Sequence, residues 1–445
     1  MKNTQNIIKK IIIVLIFITI ILGVFFGLKF YQASKKIDTA NQNNNQIQNR
    51  TPFQTKVGTS SIKTNNTVYN KTNTGTSTTA TTENKLTQLW NEPVSGFDFV
   101  YKDIEINNST STDNSTTTNI KNIKNKKFLK NQEYIYFMDR KTGHIYENLA
   151  STTQINKILN NTLTGTIEAY FGDNSSVITR SLEDDNETIT TRYIKLYKDT
   201  YISTSSTYLS DINNIKINSN YFAFIPSIKK IFYFVKNTGN GVVSSIDGSV
   251  KTIAIKTNIS DWLIQYVNKD IIALVTKPSA YFKGYLFFLK PDGTQKNDYI
   301  LGEKYGFNAL VSPDGSKVLY NETINNFLET SIYDIKSKTY TYLTQATIVD
   351  DKCVWTNDSK KIYCAIPQKL EQLPYPDSWY KNDISFTDNI WSINPDTGEF
   401  LVTTPLQNKT EKPIDVYKIK ISANGKYLLF QNKNDLSLWK YDMNY

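Results

Sequence analysis

The chain has 445 residues, a formal net charge of +10 and a pI near 9.1. Aromatic residues make up 13% of the chain, and this Tyr- and Phe-rich, β-branched composition favours an all-β body over a helical one. The positive charge comes mostly from scattered Lys and the only histidine is His144, which argues against nucleic-acid binding and against a histidine-based triad or zinc site.

The first element is an uncharged apolar run from Ile11 to Leu28. As a helix, this run and its flanks would cross the ~30 Å hydrocarbon core of a membrane. A signal peptide is the alternative, but its apolar region would be shorter and would precede a better cleavage site than the one at Ala33. We therefore expect a cytoplasmic tail (1–10), one retained transmembrane helix (11–30) and a long body outside the membrane.

Residues 31–85 consist largely of Asn, Thr, Gln, Ser and Lys. A segment with so few apolar side chains cannot bury enough surface to offset the entropy lost on ordering, so we expect a disordered linker. A similar tract from Asn107 to Lys127 interrupts the body and is expected to be a disordered loop. The folded domain should therefore span residues 86–445.

A repeated strand pattern organises this domain, and its clearest copy runs from Val311 to Lys338. Pro313, Asp314 and Gly315 predict a tight turn, because Pro presets φ and Gly accepts a positive φ. Alternating apolar residues follow the turn and predict a hairpin and a further strand. Such a meander has open edges, so it becomes stable by stacking on copies of itself.

Turn signals recur along the domain at intervals of about 40 to 46 residues, which is typical of four strands per propeller blade. We expect seven blades, with six as the alternative, beginning near residues 86, 151, 213, 256, 302, 347 and 406. The last unit lacks a fourth strand. A strand between Val68 and Leu89 should complete it and close the ring.

The segment from Ser312 to Tyr320, followed by Ser331 to Lys336, resembles the PD40 (WD40-like) repeat of TolB-type β-propellers. The likeness extends over roughly residues 86–445, and the copy around Asn424 and Gly425 is the other close one. The resemblance implies a propeller fold, with relatives that include periplasmic scaffold proteins and the gating propellers of prolyl-oligopeptidase-type enzymes. The chain lacks the Gly-x-Ser-x-Gly motif of those enzymes, so the repeat indicates a fold and not a chemistry.

Cys353 and Cys364 are the only cysteines and lie at equal distances from the centre of a predicted hairpin turn, Thr356 to Lys361. In an antiparallel hairpin this spacing makes them direct cross-strand neighbours, which is compatible with a disulfide. Two independent buried thiols are the alternative. A location outside the cytoplasm favours the bridge.

The insertion that follows Cys364 is the most unusual element, because its segment Pro374–Asp388 is rich in aromatic and acidic residues. Long ordered loops are uncommon without a function, and Trp and Tyr are frequent interface hot spots. The hypothesis is a partner-binding surface that contains Tyr375, Asp377, Trp379, Tyr380, Asp383, Phe386 and Asp388. The alternative is that these residues only cap one end of the ring.

We expect the protein to be a membrane-anchored, extracytoplasmic propeller of a bacterial envelope that binds or scaffolds envelope proteins. An enzyme of lyase or glycosidase type, using carboxylates and tyrosines of the central channel, is the alternative, and a structural spacer also stays open. No cofactor or metal is expected, since the acidic tip from Glu183 to Glu187 lacks the spacing of a calcium loop. Carboxylates that converge in the channel would favour the enzyme, and an exposed aromatic patch would favour the binder.

Overall fold

A computed structural model of the chain describes residues 86–106, 127–173, 175–185, 187–198, 208–215, 217, 219, 221–225, 230–236, 238–259, 261–292, 298–406, 410 and 412–443. The predicted tail, transmembrane helix and linker (1–85) lie outside these residues, as do residues 107–126 of the predicted loop. Lys127, placed in that loop by the sequence, is the first residue of a strand. In the part of the chain that is described, no helix is long and apolar enough to span a membrane.

The described residues form seven four-stranded antiparallel sheets, which are the blades of a β-propeller. Blade 1 consists of β2 (Val94–Ile106), β3 (Lys127–Asp139), β4 (Ile145–Leu149) and β5 (Ile155–Leu159). Blade 2 consists of β6 (Thr166–Asp173), β7 (Ser176–Leu182), β8 (Ile189–Lys198) and β9 (Tyr208–Ile215). Blade 3 consists of β10 (Phe222–Ile225), β11 (Lys230–Phe234), β12 (Asn240–Ser245) and β13 (Lys251–Lys256). The prediction of seven blades is confirmed.

Blades 4 to 6 follow without a break in the order of the chain. Blade 4 consists of β14 (Trp262–Asn268), β15 (Ile271–Thr276), β16 (Lys283–Leu289) and β17 (Asp298–Tyr305). Blade 5 consists of β18 (Asn308–Val311), β19 (Lys317–Ile324), β20 (Phe327–Asp334) and β21 (Thr339–Tyr342). Blade 6 consists of β22 (Cys353–Trp355), β23 (Ile362–Pro367), β24 (Asp388–Ile393) and β25 (Phe400–Thr404). Two short helices accompany blade 6: α1 (Val349–Lys352) precedes β22, and α2 (Asp377–Tyr380) lies between β23 and β24.

Blade 7 joins the two ends of the domain. It contains β26 (Val416–Ile421), β27 (Tyr427–Asn432), β28 (Leu438–Asp442) and, as its outermost strand, β1 (Leu86–Trp90). The pairing of β1 with β28, which sets Leu86 opposite Tyr441, closes the ring as the sequence predicted. A hydrogen bond from Gln431 Nε2 to the carbonyl of Val94 (2.8 Å) strengthens this closure.

The predicted repeat turn forms as the sequence indicates. Ser312 Oγ donates to Asp314 Oδ1 at 2.6 Å, and Gly315 adopts a φ of 74°. The copy in blade 7 repeats the contact, with 2.8 Å between Ser422 Oγ and Asn424 Oδ1. These side-chain contacts add to backbone hydrogen bonds at the same tips, such as those from Gly315 N–H to the Ser312 carbonyl (2.8 Å) and from Gly425 N–H to the Ser422 carbonyl (2.9 Å), so the turns are built into the local sequence.

The core lies between neighbouring blades, where apolar side chains of one sheet pack on those of the next. Between blades 4 and 5, for example, Val275 and Leu286 share a buried cluster with Val318 and Tyr320. The first strand of each blade lies innermost, as the packing of β2 on β6, β10 on β14 and β22 on β26 shows. A rigid wall of blades therefore surrounds a central channel.

A disulfide links Cys353 and Cys364, which confirms the predicted bridge. The two residues face each other across β22 and β23, with a Cα–Cα distance of 4.1 Å and an S–S distance of 2.10 Å. Both cysteines are buried. The bridge fixes the hairpin that leads from α1 into the insertion.

Candidate functional site

A cavity of about 760 Å³ lies in the central channel. Inner strands of several blades, α1 and the insertion contribute its lining. Its charged and tyrosine side chains include Asp98, Glu168, Tyr170, Arg180, Tyr221, Tyr266, Lys277, Asp350, Asp351, Tyr380, Tyr417, Lys418 and Lys420. Carboxylates and tyrosines do converge in the channel, which is one of the two arrangements that the sequence left open.

The short helix α1 divides its four residues between the core and the channel. Val349 and Lys352 are buried, and the backbone N–H of Val349 donates to Asn321 Oδ1 at 3.2 Å. Asp350 and Asp351 instead line the channel cavity. Two adjacent carboxylates are thus held at the inner wall by a helix whose other side is anchored in the protein.

Burial in the ring raises the pKa of both Asp350 and Asp351, because the charged form loses hydration there. The Asp351 charge raises the pKa of Asp350 further, while Lys418 acts in the opposite direction on both. Gln265 Nε2 donates to Asp350 Oδ1 at 3.3 Å, and Asp351 accepts a hydrogen bond from the Tyr380 hydroxyl. The pair therefore retains protons above the ordinary range of aspartate.

Lys418 reaches the channel from an irregular point in β26. Its φ of 54° lies in the left-handed region, and the strand register shifts between Tyr417 and Lys420. Bulges of this kind re-aim side chains at a cost in backbone strain. Here the bulge places Lys418 in the lining of the cavity with both Tyr417 and Lys420.

Two ion pairs occupy other parts of the wall. Arg180 Nη1 lies 2.7 Å from Glu168 Oε2, and Lys420 Nζ lies 2.5 Å from Asp98 Oδ2. Arg180 also donates from Nη2 to the carbonyl of Ser219 at 2.7 Å. These charges compensate one another, so the other charged groups of the lining are the carboxylates of α1, Lys277 and Lys418.

The structure divides the seven residues of the predicted binding surface between interior and exterior. Tyr375, Trp379 and Phe386 are at most 2% exposed and belong to one apolar cluster. Trp379 also donates from Nε1 to both carboxylate oxygens of Asp415, at 3.1 and 3.0 Å. These three aromatic residues anchor the insertion, as the capping alternative anticipates.

Asp388 belongs to a buried ion triad with Lys352 and Asp415. Lys352 Nζ lies 2.5 Å from Asp388 Oδ2 and 2.6 Å from Asp415 Oδ1, and all three side chains are fully buried. Burial raises the pKa of Asp388, whose Oδ1 has no hydrogen-bond partner among the described residues. The triad ties α1, the end of the insertion and blade 7 together.

Asp377, Asp383 and Tyr380 have three different environments. Asp377 accepts a hydrogen bond from the backbone N–H of Ala280 at 2.6 Å, so it fastens the insertion to blade 4. Asp383 is exposed. Tyr380 points into the channel, where Asn308 Nδ2 donates to its hydroxyl at 3.1 Å. The insertion thus delivers one side chain, Tyr380, to the channel carboxylates.

Exposed aromatic residues flank the insertion. Tyr281, Phe282 and Phe327 are 61%, 74% and 55% exposed, and we call this group the aromatic rim. Tyr281 and Phe282 directly follow Ala280, which contacts the insertion through Asp377. Phe327 lies beside the Asn326 carbonyl, which accepts a hydrogen bond from the insertion at Leu373 (3.0 Å). Exposed aromatic residues therefore lie beside two different contacts of the insertion.

Sequence reasoning missed Asp350, Asp351, Lys418 and Tyr417. The first two follow Val349 in what reads as a polar turn, and Lys418 occupies an ordinary alternating strand. Only the ring closure and the bulge in β26 bring these residues together. The adjacent acids were the one visible signal, and nothing local indicated that they face the channel.

Comparisons with known proteins show similarity of fold only. No protein-family model matches the chain, and no curated protein matches its sequence. TolB from Acinetobacter baumannii aligns at 11% identity over 70% of this chain and 76% of its own, with a TM-score of 0.38. Hsv2 from Kluyvelomyces marxianus aligns at 10% identity over 63% and 77%, also with a TM-score of 0.38.

The tricorn protease aligns at 12% identity over 67% of this chain, with a TM-score of 0.34. The alignment spans only 32% of the protease chain. At these identities and TM-scores the likenesses carry no argument about activity. The assignment as a seven-bladed β-propeller rests on the seven sheets themselves.

Proposed function

We propose that this chain is a membrane-tethered, extracytoplasmic β-propeller that binds an envelope protein through the aromatic rim and the exposed part of the insertion. The observation that carries the proposal is the exposure of Tyr281, Phe282 and Phe327 beside the anchored insertion. Large exposed aromatic side chains are typical of interaction surfaces. Asp383 and other polar residues of the insertion would form the polar edge of the interface, around the aromatic side chains.

The rigid support of this surface favours binding. Trp379, Tyr375 and Phe386 hold the insertion in a buried cluster, and the Lys352 triad fastens its end. A loop that is already ordered loses less conformational entropy when a partner binds. The buried residues thus contribute to binding indirectly, by holding the exposed ones in place.

Two features support a location outside the cytoplasm. The Cys353–Cys364 disulfide suits an oxidising compartment, since cytosolic thiols are kept reduced. The uncharged run from Ile11 to Leu28 has the length and composition of a membrane anchor, and residues 31–85 would link it to the propeller. Protease added to intact cells should release a soluble propeller; a protein that begins near Ser34 and leaves with the soluble fraction would contradict the anchor.

Photo-crosslinking tests the binding surface. A benzoylphenylalanine at position 282 or 327 should give covalent adducts with a specific envelope protein in intact cells. Position 401 is the control, because Leu401 is 67% exposed but lies on the outer strand β25. The proposal fails if positions 282 and 327 give no adduct, or if position 401 gives the same adducts.

A second candidate is an enzyme that works in the channel, and the convergence of Asp350, Asp351 and Tyr380 favours it. A buried carboxyl group with a raised pKa can serve as a general acid near neutral pH. Chromogenic aryl glycosides provide a first assay. Hydrolysis that is lost in Asp350→Asn and kept in Asp185→Asn would support this candidate, and no hydrolysis by the wild type would count against a glycosidase.

A further inference from the structure

A second cavity, of about 580 Å³, adjoins the channel cavity, and we call it the mouth pocket. Blade 1, blade 7 and the insertion meet there. The polar side chains of its lining include Arg140, Tyr380, Asn382, Tyr417, Lys433 and Asp435. Tyr380 and Tyr417 line both cavities, so the mouth pocket leads into the channel. It is separate from the proposed protein-binding surface, because no residue of the aromatic rim lines it.

The mouth pocket contains two cationic side chains that are not paired with carboxylates. Neither Arg140 nor Lys433 forms an ion pair with any residue that the structure describes. The ammonium group of Lys433 instead donates to Asn382 Oδ1 and lies 4.9 Å from the ring centroid of Trp379. Both contacts are with neutral groups, so they leave the charge of the lysine uncompensated.

The carboxyl groups near the pocket are engaged elsewhere. Asp435, which belongs to the lining, accepts hydrogen bonds from the backbone N–H and from Oγ of Ser437, at 3.0 and 2.5 Å. Asp415 is held by the Lys352 ammonium group at 2.6 Å. Burial raises the pKa of Asp351, so its uncharged form is favoured. With two cations against one carboxylate, the lining of the mouth pocket has a net positive charge.

An independent observation concerns the hydroxyl group of Tyr417. It forms no hydrogen bond with any residue in the described part of the chain, whereas the hydroxyl of Tyr380 contacts both Asn308 and Asp351. Burial raises the pKa of Tyr417, so the hydroxyl keeps its proton, and the charge of Arg140 is near enough to act on it in the opposite direction. The pocket therefore offers a neutral hydrogen-bond donor close to its cations.

The two cations are held in place before any ligand binds. The backbone N–H of Lys433 donates to the carbonyl of Asp415 at 2.7 Å, and that of Arg140 donates to the carbonyl of Pro93 at 2.8 Å. Burial lowers the pKa of Lys433, because its ammonium group has lost part of its hydration. A partly dehydrated cation on a fixed turn gains most from an anion, since charge-assisted hydrogen bonds form with little loss of entropy.

We propose that the mouth pocket binds the phosphate group of a phosphate monoester. Such a group carries about two negative charges at neutral pH and three terminal acceptor oxygens. Arg140 and Lys433 match its charge, and together with Tyr417 they supply a donor group for each oxygen. A carboxylate has a single charge and fewer oxygens, so it matches the three donors less well. The organic part of the ligand occupies the rest of the pocket, towards the channel.

Isothermal titration calorimetry of the purified full-length protein with glycerol 3-phosphate tests the proposal. The comparison compounds are glycerol, which lacks the phosphate group, and glycerate, which has a carboxylate in its place. Glycerol 3-phosphate should bind at least about tenfold more tightly than glycerate, and glycerol should not bind. Phosphatidylcholine vesicles with and without phosphatidic acid show whether a lipid can present the same phosphate group. Binding of only the phosphatidic acid vesicles would support the proposal and place the phosphate on a lipid.

Variants of the three donors locate the site. Arg140→Gln and Lys433→Met should each weaken binding about tenfold, because each removes a charge-assisted hydrogen bond. Tyr417→Phe removes only a neutral donor and should weaken binding about threefold. The matched control is Lys141→Gln, which removes a positive charge from the exposed neighbour of Arg140, outside the lining. It should leave the affinity within about twofold, because solvent screens an exposed charge.

Several results would overturn the proposal. These are no binding of either glycerol 3-phosphate or phosphatidic acid vesicles, binding of glycerate that is at least as tight, and equal losses in Arg140→Gln and Lys141→Gln. Unchanged affinity in Arg140→Gln would also contradict it. Thermal melting shows whether each variant is folded. If Lys433→Met does not fold, Arg140→Gln and Tyr417→Phe decide the question, since neither side chain belongs to the buried ion triad.

Discussion

Blades 5 and 6 are neighbours built on the same repeat, but they differ in what their hairpins carry. In blade 5 the two residues Asn325 and Asn326 join β19 to β20, and both have a positive φ, as a tight hairpin turn requires. In blade 6 residues 368–387 take the place of that turn. The longer connection carries α2, the buried aromatic cluster and Tyr380, whose hydroxyl donates to Asp351 in the channel.

The two blades also differ in where their lysine residues form ion pairs. Lys317 of blade 5 pairs with Asp334 and Asp396 at the surface, at 3.5 and 3.2 Å. Lys352, next to blade 6, pairs with two carboxylates in the interior. The comparison teaches that the repeat supplies the frame, whereas the functional groups lie where the repeat is interrupted.

The largest effect is expected for Trp379→Ala. Removing this fully buried ring leaves a cavity and deprives Asp415 of a hydrogen-bond donor, so unfolding free energy should fall by about 4–5 kcal/mol. Phe327→Ala in blade 5 removes an exposed ring and should cost under about 0.5 kcal/mol. Urea denaturation measures both losses of stability. Similar losses for the two variants would contradict the conclusion that Trp379 is a buried anchor of the insertion and that Phe327 is a surface residue.

Lys352→Met should come next, at about 3–4 kcal/mol, because it leaves two buried carboxylates without their cation. Protonation of Asp388, whose pKa is already raised, should relieve part of this cost. The control, Lys317→Met, breaks partly exposed pairs and should cost about 1 kcal/mol or less. A loss below 1 kcal/mol for Lys352→Met would show that the triad does not hold the insertion.

The sequence predicts parts of the fold of these two blades, but not the buried contacts on which the last two predictions depend. The turn at Pro313 and Gly315, the closing strand and the cysteine pair follow from local spacing, so the sequence predicted them. Trp379 and Tyr380 are adjacent, and no pattern revealed that one is buried and the other lines the channel. Lys352 and Asp415 meet only after blade 7 packs on blade 6, so their pairing had no local signal.

Loss of the disulfide should have a smaller effect. The double variant Cys353→Ala/Cys364→Ala should be less stable by about 2–3 kcal/mol, because the bridge closes a short loop in the unfolded chain. In blade 5 the cross-strand pair Ala309 and Tyr320 occupies the equivalent positions without a covalent link. Reductant should destabilise the wild type and leave the double variant unchanged; an equal response of both would argue against the bridge.

The last prediction concerns the slope of stability with pH, which per pH unit is smaller than the losses predicted above. The pKa of Asp350 is raised in the folded protein, so the native state binds more protons than the unfolded state above about pH 4. Stability should therefore fall as pH rises between the ordinary and the raised pKa, by up to about 1.4 kcal/mol per pH unit. Asp350→Asn should flatten this slope and be the more stable protein at neutral pH. An unchanged slope in urea denaturation series would contradict the assignment.

The most direct test of the channel site is a ¹³C NMR titration of the aspartate carboxyl groups, assigned with Asp350→Asn and Asp351→Asn. The account predicts that a carboxyl of this pair has a pKa well above the ordinary value of 3.8. Asp185, on its exposed turn, should have a pKa below 3.8. If both Asp350 and Asp351 titrate near the ordinary value, burial in the channel does not favour their protonated forms, and the account of the site is wrong.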